Sequence, residues 1–113
     1  MSKIVRIGTE ARFESEVLGA AVPALVTFYT PECPDCQRYL KTFDTLHNEY
    51  GEDVRFVTVD VAECPELEAR YEIGRLPTVI LFRGGEVSYR WLEEQDIHVY
   101  RTALESMMQH GTI

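Results

Sequence analysis

Two cysteines in the tetrapeptide Cys33-Pro-Asp-Cys36 are the residues whose type and spacing bear most directly on chemistry in this chain of 113 residues. A thiolate is both a nucleophile and a metal ligand, so a Cys-x-x-Cys either exchanges disulfides or supplies half of a zinc site. Zinc requires two further Cys or His ligands in compatible positions. The third cysteine, Cys64, has no partner two to four residues away, while His47 lies several turns along the helix that starts at Cys33, and His98 and His110 lie in or after the last helix. Ligand count therefore disfavours a metal. Redox chemistry at Cys33 and Cys36 is the expectation, with no cofactor beyond their own disulfide.

The pair needs a specific setting. Residues three apart on a helix have Cβ atoms about 5–6 Å apart, within small adjustment of disulfide geometry. At a helix N-terminus, unpartnered N–H groups and the positive end of the dipole favour thiolate, so Cys33 is expected to attack and Cys36, one turn inside, to resolve. Pro34 suits the first turn, where its missing N–H costs nothing. Glu32 and Asp35 act in the opposite direction: a carboxylate about 6 Å away costs a thiolate roughly 0.7 kcal/mol in water, against about 0.3–1 kcal/mol returned by the helix terminus. A moderate nucleophile is expected, not a strong oxidant.

The surrounding pattern supplies such a helix. Ile4–Ile7 reads as a strand, and Thr9 as the N-cap of a helix with Phe13, Val17 and Leu18 on one face, stopping near Gly19. Ala24–Tyr29 is an apolar run of strand formers. Pro31 separates it from a helix opening at Cys33, in which Tyr39, Leu40, Phe43, Leu46, His47 and Tyr50 recur at three- and four-residue spacing before Gly51. Val54–Asp60 alternates as a strand, and Pro65 opens a short acidic helix ending around Tyr71. Thr78–Phe82 and Glu86–Trp91 are strands joined by Arg83-Gly84-Gly85, a hairpin signal; Asp96 caps a last helix through Met108. The order β-α-β-α-β-α-β-β-α demands parallel crossovers followed by an antiparallel hairpin. An α/β domain spanning 1–113 follows, with a mixed five-stranded sheet and helices on both faces.

Bulk properties narrow the partners. Hydrophobic residues make up 45% and charged residues 27%, the usage of a globular domain. Eleven Lys and Arg against nineteen Asp and Glu leave a formal charge of −8, which opposes binding to nucleic acid and to anionic membranes. The apolar runs are too short to span a bilayer, and the alternating start lacks the apolar block of a secretory signal, so a cytoplasmic monomer is expected.

The segments ALVTFYTPECPDC, Asp60–Pro65 and YEIGRLPTVILFRGGEV resemble the thioredoxin family, and the resemblance runs from Lys3 to about Met108. It implies a protein-disulfide reductase in which Cys33 forms the mixed disulfide and Cys36 resolves it, with electrons supplied by a reductase. It also implies a cis-proline at Pro77, backbone hydrogen bonds from Leu76 to an extended client segment, and a client surface completed by Tyr29, Glu32, Pro34 and Asp35.

Six positions depart from the family pattern. Glu32 replaces a tryptophan, and Pro34-Asp35 replaces Gly-Pro. Thr27 and Thr58 replace a buried aspartate and its lysine, and Glu93 replaces a glycine after the last strand. Asp60 shares parity with Thr58 and is the candidate substitute proton acceptor. Cys64, flanked by Glu63 and Glu66 before the third helix, is the candidate regulatory thiol.

Glutaredoxins resemble the chain less well. Arg75-Leu76 stands where they carry Thr-Val before the cis-proline, and Gly84-Gly85-Glu86 lies in the hairpin. A glutathione-linked reductase is one alternative reading, and a non-catalytic thioredoxin-fold binding module is the other.

Overall fold

A computed structural model describes residues 3–111, with side chains through Met108. The side chain of His110 lies outside that range. The elements are β1 (Val5–Ile7), α1 (Glu10–Phe13), β2 (Ala24–Tyr29), α2 (Pro34–Tyr50), β3 (Arg55–Asp60), α3 (Pro65–Arg70), β4 (Thr78–Arg83), β5 (Glu86–Leu92) and α4 (Ile97–Gly111). The sheet runs β1-β3-β2-β4-β5. β3 pairs in parallel with β1 and β2, and the pairs β2–β4 and β4–β5 are antiparallel.

Side-chain alternation along the strands divides the interior into two layers. Ala24, Val26 and Phe28 of β2 join Val57, Val59, Ile80 and Phe82 on the face covered by Phe13, Val17 and Leu67. Leu25 of β2, with Phe56, Val79 and Leu81, faces the α2 and α4 side chains Tyr39, Phe43, Leu46, Tyr100 and Leu104. Helices thus cover both faces, and β2, central and parallel to β3, is apolar nearly throughout because both of its faces are buried. Each large side chain fully withdrawn from water contributes about 1.5–3 kcal/mol.

Local chemistry accounts for most boundaries. Thr9 Oγ1 accepts the Arg12 N–H at 3.1 Å and caps α1, and Asp96 Oδ1 accepts the His98 N–H at 2.9 Å at the start of α4. α1 lasts one turn and then widens over Glu14–Leu18, closing with Gly19 N–H to Glu14 O at 2.8 Å, a π-helical spacing where a continuous α-helix is expected. The β4–β5 turn is tighter than the sequence suggests: Arg83 pairs with Glu86, leaving Gly84 and Gly85 at φ 60° and 82°. Two successive positive φ values define the primed turn that matches strand twist.

Candidate active site

The C-terminal end of β2 and the N-terminal end of β4 meet because the two strands run antiparallel, with Phe28 opposite Thr78. The loop after β2 therefore faces the loop before β4. Cys33 is the N-cap of α2, with extended backbone, and Pro34 occupies the first turn. Its carbonyl accepts the Gln37 N–H at 3.1 Å, while its sulfur accepts the Cys36 N–H at 3.2 Å. An otherwise unpartnered helix donor thus points at the sulfur, the contact that stabilises negative charge there.

The two thiols differ in access. All three cysteines are free; Cys33 is half-buried and Cys36 is 0% exposed. Burial foremost, then the hydrogen bond to Cys33 and the charges of Cys33 and Asp35, push the Cys36 thiol up to about 12. Cys36 is thus a proton-holding thiol at neutral pH that only an intramolecular target can reach.

Opposite the cysteines, the Leu76–Pro77 peptide is cis. The Cys33 thiol donates a long contact to the Leu76 carbonyl at 3.9 Å, and the Thr78 hydroxyl donates to Arg75 O at 2.6 Å, fixing this loop from inside. Leu76 is half-buried, whereas Pro77 is buried. The cis peptide expected at Pro77 is present, and with its ring buried the loop presents mainly backbone. Tyr29 is half-buried, and Glu32, Pro34 and Asp35 are exposed around the thiol. Asp35 is ion-paired with Arg38, which also donates to Glu94 at 3.3 Å.

Two further candidate residues lie away from the cysteine pair. Asp60 Oδ1 accepts the Ala62 N–H at 2.9 Å, and its charge falls on Cys64, whereas the charges raising Cys36 are those of Cys33 and Asp35. Asp60 caps the turn that follows β3. Cys64 is 1% exposed and donates to Ile7 O at 3.6 Å. Burial and the charges of Glu66, Glu63 and Asp60 raise its thiol, which lies in the core. Its backbone caps α3, but packing closes off its sulfur.

Three features escaped the sequence reading. The Thr27 hydroxyl is hydrogen-bonded to Tyr39, Arg38 bridges Asp35 and Glu94, and Arg75 grips Glu93 at 2.9 Å. Tyr39 stands on the apolar stripe of α2, where its hydroxyl gives no periodic signal. Among the described residues, no group of three or more His, Cys, Asp or Glu side chains is arranged to hold a metal ion. No described helix is long and apolar enough to cross a membrane.

A half-exposed thiol capping a helix, with its buried partner one turn inside and a cis-proline loop across from it, defines a disulfide-exchange site on a mixed α/β sheet. The thioredoxin family model matches residues 4–109, and the chain belongs to the thioredoxin family. Thioredoxin C-2 of Corynebacterium nephridii is 34% identical over 87 residues, 77% of this chain and 81% of that protein. Thioredoxin 1 of Synechococcus elongatus is 33% identical over 78 residues, 69% of this chain and 73% of that one. Thioredoxin M5, chloroplastic, of Oryza sativa subsp. japonica is 33% identical over 82 residues, 73% of this chain and 48% of that protein. Membership makes this chain a protein-disulfide oxidoreductase with a redox-active Cys-x-x-Cys. The glutathione-linked and non-catalytic readings have no comparable support.

Proposed function

We propose that the protein, acting as a single-domain cytoplasmic monomer, reduces disulfides of client proteins, with Cys33 as nucleophile and Cys36 as resolving thiol. The observation carrying this division is the contrast in access: Cys33 caps α2 at the surface and accepts an N–H at 3.2 Å, while Cys36 is fully buried. The Cys33 thiolate attacks one client sulfur, forming a mixed disulfide and expelling the other client sulfur as thiolate. Cys36 then loses its proton to water and attacks Cys33, forming the Cys33–Cys36 disulfide and releasing the second client thiolate. Two electrons pass to the client, and a reductase-type donor restores the dithiol. The client segment lies extended over the Leu76 backbone, flanked by Tyr29, Glu32, Pro34 and Asp35, as in strand addition.

Reduction of insulin by a dithiol-regenerated protein tests this. Cys33→Ser is expected to abolish turnover, and Cys36→Ser to accumulate a covalent client adduct, which also captures the clients. Turnover surviving in Cys33→Ser, or faster alkylation of Cys36 than of Cys33 at neutral pH, would reverse the roles.

A further inference from the structure

The loop between β5 and α4 carries two consecutive glutamates that grip opposite walls of the site. Thr78–Leu92 is the last pair of the β4–β5 ladder on this side, and Pro77, having no N–H, cannot extend it. Glu93 follows the last paired residue, and the chain leaves the sheet there at φ +64°, in the left-handed region that favours glycine. Glu93 Oε1 accepts from Arg75 Nη1 at 2.9 Å, on the loop that presents Leu76. The next residue, Glu94, accepts from Arg38 Nε at 3.3 Å, and Arg38 in turn holds Asp35 between the two cysteines.

These contacts are poor candidates for simple stabilisation. The Arg75–Glu93 pair is 63% and 55% exposed, a setting in which ion pairs contribute little, and a non-glycine residue at positive φ is a local cost. Their placement is the informative part. One pair fixes the Arg75–Pro77 loop, the other fixes the first turns of α2, and adjacent residues of one short segment supply both carboxylates. Cys33 and the Leu76 carbonyl, 3.9 Å apart, lie on the two walls so joined.

We propose that Glu93 and Glu94 form a clasp that sets the spacing between the Leu76 backbone and Cys33, and so the affinity for extended peptide segments. They are positioning residues, touching neither the sulfurs nor the reacting bond. The inference rests on the reading of Leu76 as the client-binding backbone. Its consequence is selective: a client that must lie along Leu76 depends on the clasp, and a small disulfide that meets only Cys33 does not.

The test compares a neutral cystine-bridged peptide with a small aromatic disulfide, using the full-length reduced protein. Glu93→Gly, which removes the carboxylate and relieves the backbone, is expected to keep or raise Tm while raising the peptide KM at least threefold. Arg75→Gln, which keeps the glutamate backbone, is expected to raise the same KM. Both are expected to hold kcat/KM for the small disulfide within twofold. Salt, which screens exposed pairs, is expected to raise the peptide KM of the parent more than that of either variant, which keeps only the Arg38–Glu94 half of the clasp. An unchanged peptide KM in both variants overturns the clasp while leaving the Leu76 reading intact, and so does an equal loss toward both substrates. A parent that reduces the small disulfide but shows no saturation with peptide overturns the Leu76 reading and the clasp together.

Discussion

The Thr27 hydroxyl donates to the phenolic oxygen of Tyr39 at 2.9 Å, and both side chains are fully buried between β2 and α2. Thr27 also sits directly across from Thr58 in the sheet register. Where the resemblance leads one to expect a buried carboxylate and a lysine, the strands carry two threonines, one of them bonded to a phenol. Burial holds the Tyr39 phenol well above its usual range, so this pair stays neutral and protonated. With no internal base at Thr27, proton transfer from Cys36 is expected to go to water.

Tyr39→Phe removes the acceptor and leaves the Thr27 hydroxyl buried without it. Stability is expected to fall by about 1–3 kcal/mol, with a similar loss for Thr27→Val. The double variant is expected to lose markedly less than the sum, because neither partner is then stranded. Urea unfolding of the four proteins measures the coupling, and strictly additive losses would count against the bond.

The raised Cys36 thiol ties pH to both rate and stability. The reduced folded state favours protonated Cys36, so the stability this contributes is complete below about pH 9 and is lost as pH rises toward about 12. Cys36→Ala is expected to lack that component, which separates it from Tyr50 and Tyr100, whose phenols are likewise pushed up to about 12. Release of a preformed mixed disulfide is expected to accelerate about tenfold per pH unit from pH 7 to 9, since one proton must leave before attack. Quenched-flow trapping of the adduct measures this slope; a flat profile would require a base close to Cys36.

Cys64 is expected to resist alkylation in the native protein and to react fully only in denaturant. Its sulfur is buried against Ile7, so its modification reports unfolding and not regulation. Mass spectrometry after brief iodoacetamide exposure tests this, and stoichiometric labelling of Cys64 without loss of fold would contradict it.

Gly85→Ala is expected to destabilise by about 1 kcal/mol or more. The residue lies at φ 82°, and an added Cβ would come within 3.3 Å of Leu18 O, so both the turn and the β4–β5 register are strained. Thermal unfolding measures the loss.

Much of this architecture was legible because its signals are local. Pro34 and the Gly84-Gly85 pair mark boundaries through their own backbone preferences, and the α2 stripe shows its buried face by spacing alone. The unexpected features are pairwise or backbone-specific. α3 ends near Tyr71 as expected, but in a Schellman arrangement, with Ile73 N–H to Glu68 O at 2.9 Å and the non-glycine Glu72 at φ 52°. Arg90 secures that end by donating to Tyr71 O and Glu72 O at 2.6 and 3.0 Å, across a separation no short window spans. Cys64 is settled in the same nonlocal way: its sulfur is buried against Ile7 of β1, a contact no short window spans.

The sheet order implies that activity is itself a report on assembly. β1, β2 and β3 pair among themselves within the first 60 residues, and β4 with β5 is a local hairpin, so the chain consists of two pieces joined along the β2–β4 seam. Cys33 follows one edge of that seam and Leu76-Pro77 precedes the other. A molecule in which that seam is open has its thiols but no backbone facing them, so the site is complete only when β2 and β4 are paired.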